Sequence, residues 1–222
     1  MRFLCRFAAA VLLCCASFRY AEAQAASPPG VSSDDISVAD GLQLPTYGHI
    51  WVLDTWEGLK ELVRLVPPDM TDAQGGFSLK LHRSIEFKGE AARVRVHDTA
   101  PLFFARGVSG GDNGRSDVVI VRLGIDGQRR AAGKDTMGEL KQLSKHPDAE
   151  FSDVIAVTQK RVGATDWYRI APHAALPTGE YALVPLPSSS GFAEGEIFDF
   201  AIDPDAPENA DPLRSEQYRG AE

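Results

Sequence analysis

From residue 77 onward, several runs place apolar side chains at every second position. Ser78-Leu79-Lys80-Leu81-His82, Ile85-Glu86-Phe87 and Val94-Arg95-Val96 each alternate. A period of two sends one set of side chains to a core and the other toward water, as antiparallel sheets require. Lys88-Gly89-Glu90 turns the chain between two of these runs. Pro101 opens the apolar run Leu102-Phe103-Phe104-Ala105. Residues 118–125 read as a strong strand closed by Asp126-Gly127, a hairpin signal. Further strands are expected at 154–158, 167–170, 181–184 and 197–202. Short strands at close spacing predict a mostly β chain, an antiparallel β-sandwich of immunoglobulin-like or related kind with disordered termini. Strands do not alternate with long helices, which argues against a parallel α/β sheet.

One short helix interrupts the pattern. Thr136 is placed to cap it, with Glu139 as the partner of a capping box. Met137, Leu140 and Leu143 form its apolar stripe, and Pro147 stops it. Upstream, residues 49–54 read as a strand. Residues 59–66 fit helical spacing and strand alike, while Thr55-Trp56-Glu57-Gly58 suits a hairpin turn, so a hairpin is favoured. Residues 24–45 have the Ser, Pro and Asp content of a flexible leader, and residues 205–222 that of a loose acidic tail. The β domain is therefore expected at 46–204, with a hairpin segment at 46–76 and the sandwich at 77–204.

The first 23 residues carry a different signal. Arg2 and Arg6 precede an apolar run over residues 7–18, and Ala21-Glu22-Ala23 follows. A basic start, a short apolar centre and a small-x-small end predict a secretory signal peptide. Cleavage after Ala23 or Ala25 fits equally. All three cysteines (Cys5, Cys14 and Cys15) lie in this segment, so the exported chain would hold no thiol for a disulfide, a nucleophile or a metal. Removing 23 of the 222 residues leaves 199, and charge falls from 23 basic and 31 acidic residues to 20 and 30, a net of −10. An acidic exported chain is poorly suited to nucleic acid, whose binding rests on Lys and Arg neutralising phosphates. No later segment has the length and apolarity of a membrane span. The expected location is periplasmic or extracellular.

Leu176-Pro177-Thr178-Gly179-Glu180-Tyr181-Ala182-Leu183 is similar to the L-P-x-G-x-Y-x-L segment of immunoglobulin-like and carboxypeptidase-regulatory-like sandwich domains. With Phe198-Asp199-Phe200-Ala201-Ile202-Asp203 it more closely resembles a group of exported bacterial proteins of unassigned chemistry. In that group a G-E-Y strand precedes a final F-D-F strand. The resemblance covers roughly residues 77–204. It implies a sandwich and export, and it brings no activity.

Several residue sets invite chemistry. Gly107-Val108-Ser109-Gly110-Gly111 matches the G-x-S-x-G of a nucleophile elbow, and His173 follows. That motif needs a strand, a sharp turn and a helix on a parallel sheet, and no helical period follows here. No catalytic residue is therefore assigned, and a secreted serine hydrolase using Ser109 stands as the alternative. Asp112, Asn113 and Asp117 offer oxygen ligands in one loop, which suits Ca2+ in a calcium-stabilised, adhesin-like domain. No other cofactor is expected. His82 and His97 would share a face if their strands paired, an incomplete zinc site. Trp56, Trp167 and Tyr168 are candidates for contact with a protein or glycan partner, Trp56 from the tip of a turn. The leading expectation is a non-catalytic exported module with a binding, accessory or assembly role.

Overall fold

The computed structural model describes residues 36–39, 41–68, 85–106, 116–146, 149–186 and 197–215. The first 23 residues with their three cysteines, the alternation at 78–82, and Ser109, Asp112 and Asn113 lie outside them. In chain order, the ribbon β1 (Ser37–Ala39) and β2 (Leu42–Gln43) comes first. It is followed by β3 (Ile50–Trp56), β4 (Leu59–Arg64), β5 (Glu86–Lys88), β6 (Arg95–Val96), β7 (Leu102–Arg106), β8 (Val118–Asp126) and β9 (Arg129–Ala132). Helix α1 (Thr136–Lys145) then leads to β10 (Val154–Ile155), β11 (Val157–Arg161), β12 (Trp167–Pro172), β13 (Gly179–Pro185), β14 (Phe198–Ile202) and β15 (Leu213–Arg214).

Beyond the ribbon, the strands form two sheets. Sheet I has the order β11-β12-β7-β3-β4-β15, and sheet II the order β5-β9-β8-β13-β14-β6 with β10 also paired to β8. Pairing is antiparallel except between β14 and β6, which run parallel. The sheets sandwich a core in which Ile50, Val52, Phe103 and Ile170 meet Ile120, Tyr181, Leu183 and Phe200. Phe200 lies edge-on to Phe103, centroids 4.9 Å apart, and stacks on Tyr181 at 5.6 Å. The Tyr181 hydroxyl donates to the Pro177 carbonyl at 2.7 Å, anchoring the turn before β13.

Neither sheet leaves its outer face bare. Leu140 and Leu143 of α1 cover Phe87, Val119, Val121 and Ala182 on sheet II. Leu42 and Leu44 cover Trp51, Leu62, Phe104 and Trp167 on sheet I. With both faces covered, β14 is buried at all five positions. Apolar burial at about 25 cal/mol per Å² drives all three clusters.

The fold settles one open reading and revises three others. Residues 59–64 are a strand, because Glu57 and Gly58 (φ 48° and 83°) supply the two positive φ values of a tight hairpin turn. Helix α1 begins at Thr136, so Asp135 is its N-cap, and no side chain caps it there. The Thr136 hydroxyl is buried without a partner. The end of the supposed leader is ordered, since Leu42 and Leu44 find apolar surface to cover. The supposed acidic tail is packed through residue 215, with Ala206 and Asn209 buried. Composition registers the polarity of that stretch but not the partners waiting for it.

The hairpin turn yields a first expected result. A methyl group placed on Gly58 would have no neighbouring atom within 4 Å, so Gly58→Ala meets only the backbone penalty of a left-handed conformation. A loss of about 1 kcal/mol in urea unfolding is expected.

Candidate functional site

The densest acid–base chemistry lies where the β3–β4 hairpin meets the chain after β14. Asp54 and Glu61 are cross-strand partners, point to the same face and are fully buried. Each is answered by a cation from elsewhere. His97, just past β6, directs Nδ1 to Asp54 Oδ2 at 2.7 Å and its backbone N–H to Oδ1 at 2.9 Å. Its Nε2 faces the Ala206 carbonyl at 3.1 Å. A carboxylate and a carbonyl both only accept, so one imidazole satisfies both by carrying two protons. Burial pulls the His97 pKa down, but the hydrogen bond and charge of Asp54, helped by the Ala206 carbonyl, outweigh it and hold it above 6.5.

Glu61 receives Arg214 at two points, Nε at 3.1 Å and Nη2 at 2.8 Å on Oε2. Arg214 also contacts Glu208. Glu61 Oε1 is buried without a hydrogen bond. Burial raises the Glu61 pKa, and Arg214 only partly opposes it. Asn209 joins this group to β6: its Nδ2 donates to the Arg95 carbonyl at 2.8 Å and to Asp54 at 3.3 Å, and its Oδ1 accepts from the Arg95 N–H at 2.9 Å.

A second ionic group lies on the outer face of sheet II, beside the apolar area under α1. Arg130 is 3 % exposed and places Nη1 2.5 Å from Asp199 and 3.3 Å from Glu180. Its other nitrogens donate to the Gly89 and Lys88 carbonyls. Glu180 also accepts from the Ala92 N–H at 2.8 Å and from Arg95 at 3.3 Å. Arg95 grips Asp203 at 2.6 Å and 2.9 Å. Its hydrogen bond, offset in part by burial, holds the Asp203 carboxyl below 3.8. Val66, Pro67, Lys88, Arg93, Arg130 and Asp199 line a cleft of about 190 Å³ at this group. That is smaller than the several hundred Å³ of most small-molecule sites.

Among the described residues, those singled out from sequence do not converge. Trp167 is 1 % exposed beneath the β1–β2 ribbon, with the Arg106 guanidinium over its ring at 4.7 Å. Tyr168 is 6 % exposed, with Arg161 near its ring. Both rings are buried within the fold, Trp167 in the cluster it shares with Leu42 and Leu44, under cover that alternation alone does not reveal. Trp56 is half-buried and tilts over His97, centroids 4.5 Å apart, folding back across the hairpin end. Asp117 is half-buried, its N–H bound to Gln159 and its carbonyl accepting from Leu186. His97 meets Asp54; His82 lies outside the described residues. Among the described residues, no three His, Cys, Asp or Glu side chains are grouped to hold a metal ion, and no helix is long and apolar enough to cross a membrane.

Asp54, Glu61, Arg130 and Glu180 escaped the sequence reading. The available signal was charge at core-facing positions: Asp54 continues the inward parity of Ile50 and Val52, and Glu61 that of Val63. Comparison with protein-family models, curated proteins and solved structures finds no match to this chain.

Proposed function

We propose that the chain is an exported, non-catalytic β-sandwich module of immunoglobulin-like kind with a binding, accessory or assembly role. The observation that carries the non-catalytic part is the closure of the Asp54–His97 pair. In a hydrolase triad the second ring nitrogen faces a nucleophile. Here Nε2 faces the Ala206 carbonyl, Trp56 lies over the ring, and the side chain is 6 % exposed. The pair is built to hold chain segments together. The bond from Tyr181 back to the residue four positions upstream supports the immunoglobulin-like reading, since such sandwiches use a tyrosine corner of this form. The A-x-A end of the N-terminal segment supports export.

Three measurements test the proposal. Protein recovered from outside the cytoplasm is expected to begin at Gln24 or Ala26, and a chain recovered there still beginning at Met1 defeats export by a cleaved signal. A fluorophosphonate probe is expected to leave the protein unlabelled. Labelling abolished by Ser109→Ala would establish the hydrolase instead. Melting with and without chelator is expected to give one midpoint. A drop on chelation would favour a calcium-stabilised domain, because a ligand bound only by the native state must shift stability.

A further inference from the structure

The chain after β14 behaves as a strap. Residues 203–215 leave sheet II, cross the end of the sandwich and finish as β15 on the edge of β4 in sheet I. The closing strand is two residues long, Leu213 opposite Leu62 and Arg214 opposite Glu61. So short a strand contributes little by itself. The strap is held instead by four side-chain ties: Arg95 to Asp203, His97 to the Ala206 carbonyl, Asn209 to Arg95 and Asp54, and Arg214 to Glu61.

His97 is the tie whose chemistry changes in the ordinary pH range. We propose that His97 is a proton-operated latch: as an imidazolium it fastens the strap 203–215 to the hairpin, and on losing its proton it lets the strap lift from the edge of β4. The geometry dictates the change. A neutral imidazole has one N–H, so either Asp54 or the Ala206 carbonyl is left facing a lone pair. If Nδ1 keeps the proton for Asp54, two acceptors oppose each other at 3.1 Å across Nε2 and Ala206, which is the contact that holds the strap.

The surrounding charges set the window. Asp54 faces His97 from β3, Glu61 from β4 and Asp203 from the strap, while Arg214 and Arg95 pair with the last two. A group whose pKa is raised on folding stabilises fully below its unfolded value and loses that contribution as pH rises through the folded value. His97 is raised by its partners, so it favours the closed strap on the acid side; burial raises Glu61, but the Arg214 tie from the strap opposes that rise and so favours the ionised carboxylate. Asp203 is lowered, so its contribution is present above 3.8 and is lost as pH falls through its folded value. The strap is therefore tightest between the acid range of its carboxylates and 6.5, and it loosens as pH rises through the folded value of His97.

Hydrogen exchange on the full chain, corrected for intrinsic rates, reads this directly. Protection of residues 203–215 relative to β13 is expected to fall about tenfold or more between pH 6 and pH 9. In His97→Gln the strap is expected to be weakly protected at both values, with no pH dependence. In Asn209→Ala protection falls but its pH dependence remains. The imidazole nitrogen spectrum of the unaltered protein decides the matter even where His97→Gln does not fold: both His97 nitrogens protonated at pH 6 supports the latch. A singly protonated ring at pH 6, or strap protection that tracks β13 across the range, overturns it.

Discussion

Replacing Arg130 by methionine is expected to destabilise the protein by about 3–5 kcal/mol in chemical unfolding, the usual effect of removing one partner from a buried ion pair. Methionine fills much of the volume under Phe87, where the guanidinium now lies 5.5 Å from the ring. It leaves Asp199, 5 % exposed, without the cation it contacts at 2.5 Å. The Gly89 and Lys88 carbonyls lose their donors as well. Glu180 is less affected, because Arg95 and the Ala92 N–H still serve it. The double variant Arg130→Met with Asp199→Leu is therefore expected to recover much of the loss, since a buried pair replaced by apolar groups of similar volume is often neutral. A single variant losing less than about 1 kcal/mol would show that the Asp199 carboxylate reaches water or another cation.

Phe200→Ala should reach the same scale by a different route, about 3–5 kcal/mol for truncating a buried aromatic ring. Phe200 is fully buried between the sheets, with Phe103 edge-on and Tyr181 stacked. Its removal opens a void that the two neighbouring rings can only partly close. Ile125→Ala provides the contrast. Ile125 is 62 % exposed, and a change within about 0.5 kcal/mol is expected there. Equal losses at the two positions would mean that the inter-sheet core does not organise this fold.

Much of the sheet structure was legible because it is local. Tyr181 and Leu183 face the inner core while Ala182 and Val184 face outward, as alternation requires. Phe198 and Phe200 share one face of β14 with Asp199 on the other, again by parity. Glu57-Gly58 turns the first hairpin, and the apolar stripe of α1 lands on sheet II. Parity says which residues share a face, but not what covers it. That is why Trp167 and Tyr168 read as contact residues and are buried, and why residues 36–39 and 41–44 read as leader and form a lid on sheet I. A hint was present: β14 and the start of β8 are nearly continuous apolar runs, as strands covered on both sides are.

The candidate site was not legible as a site: Trp56 and His97 were singled out, but for partner contact and zinc, and the structure joins them to each other and to Asp54. His97 and Asp54 are 43 residues apart, Arg130 and Asp199 69, and Asn209 and Asp54 155. No window of sequence brings such partners together, and a lone Asp or Arg in a strand looks the same whether it faces water or a buried counter-ion.

By itself, the amino-acid order determined the long strands of the two sheets, their inward and outward faces, the tight turns and the short helix, because each follows from the preferences of neighbouring residues. Tertiary structure alone decided the second cover on each sheet, the parallel seating of β6 beside β14, and the capture of an acidic C-terminal stretch by Arg95, His97 and Glu61. The physical reason is that burial turns a solvated charge into a costly one, so its partner is chosen by proximity in the folded chain rather than by spacing along it.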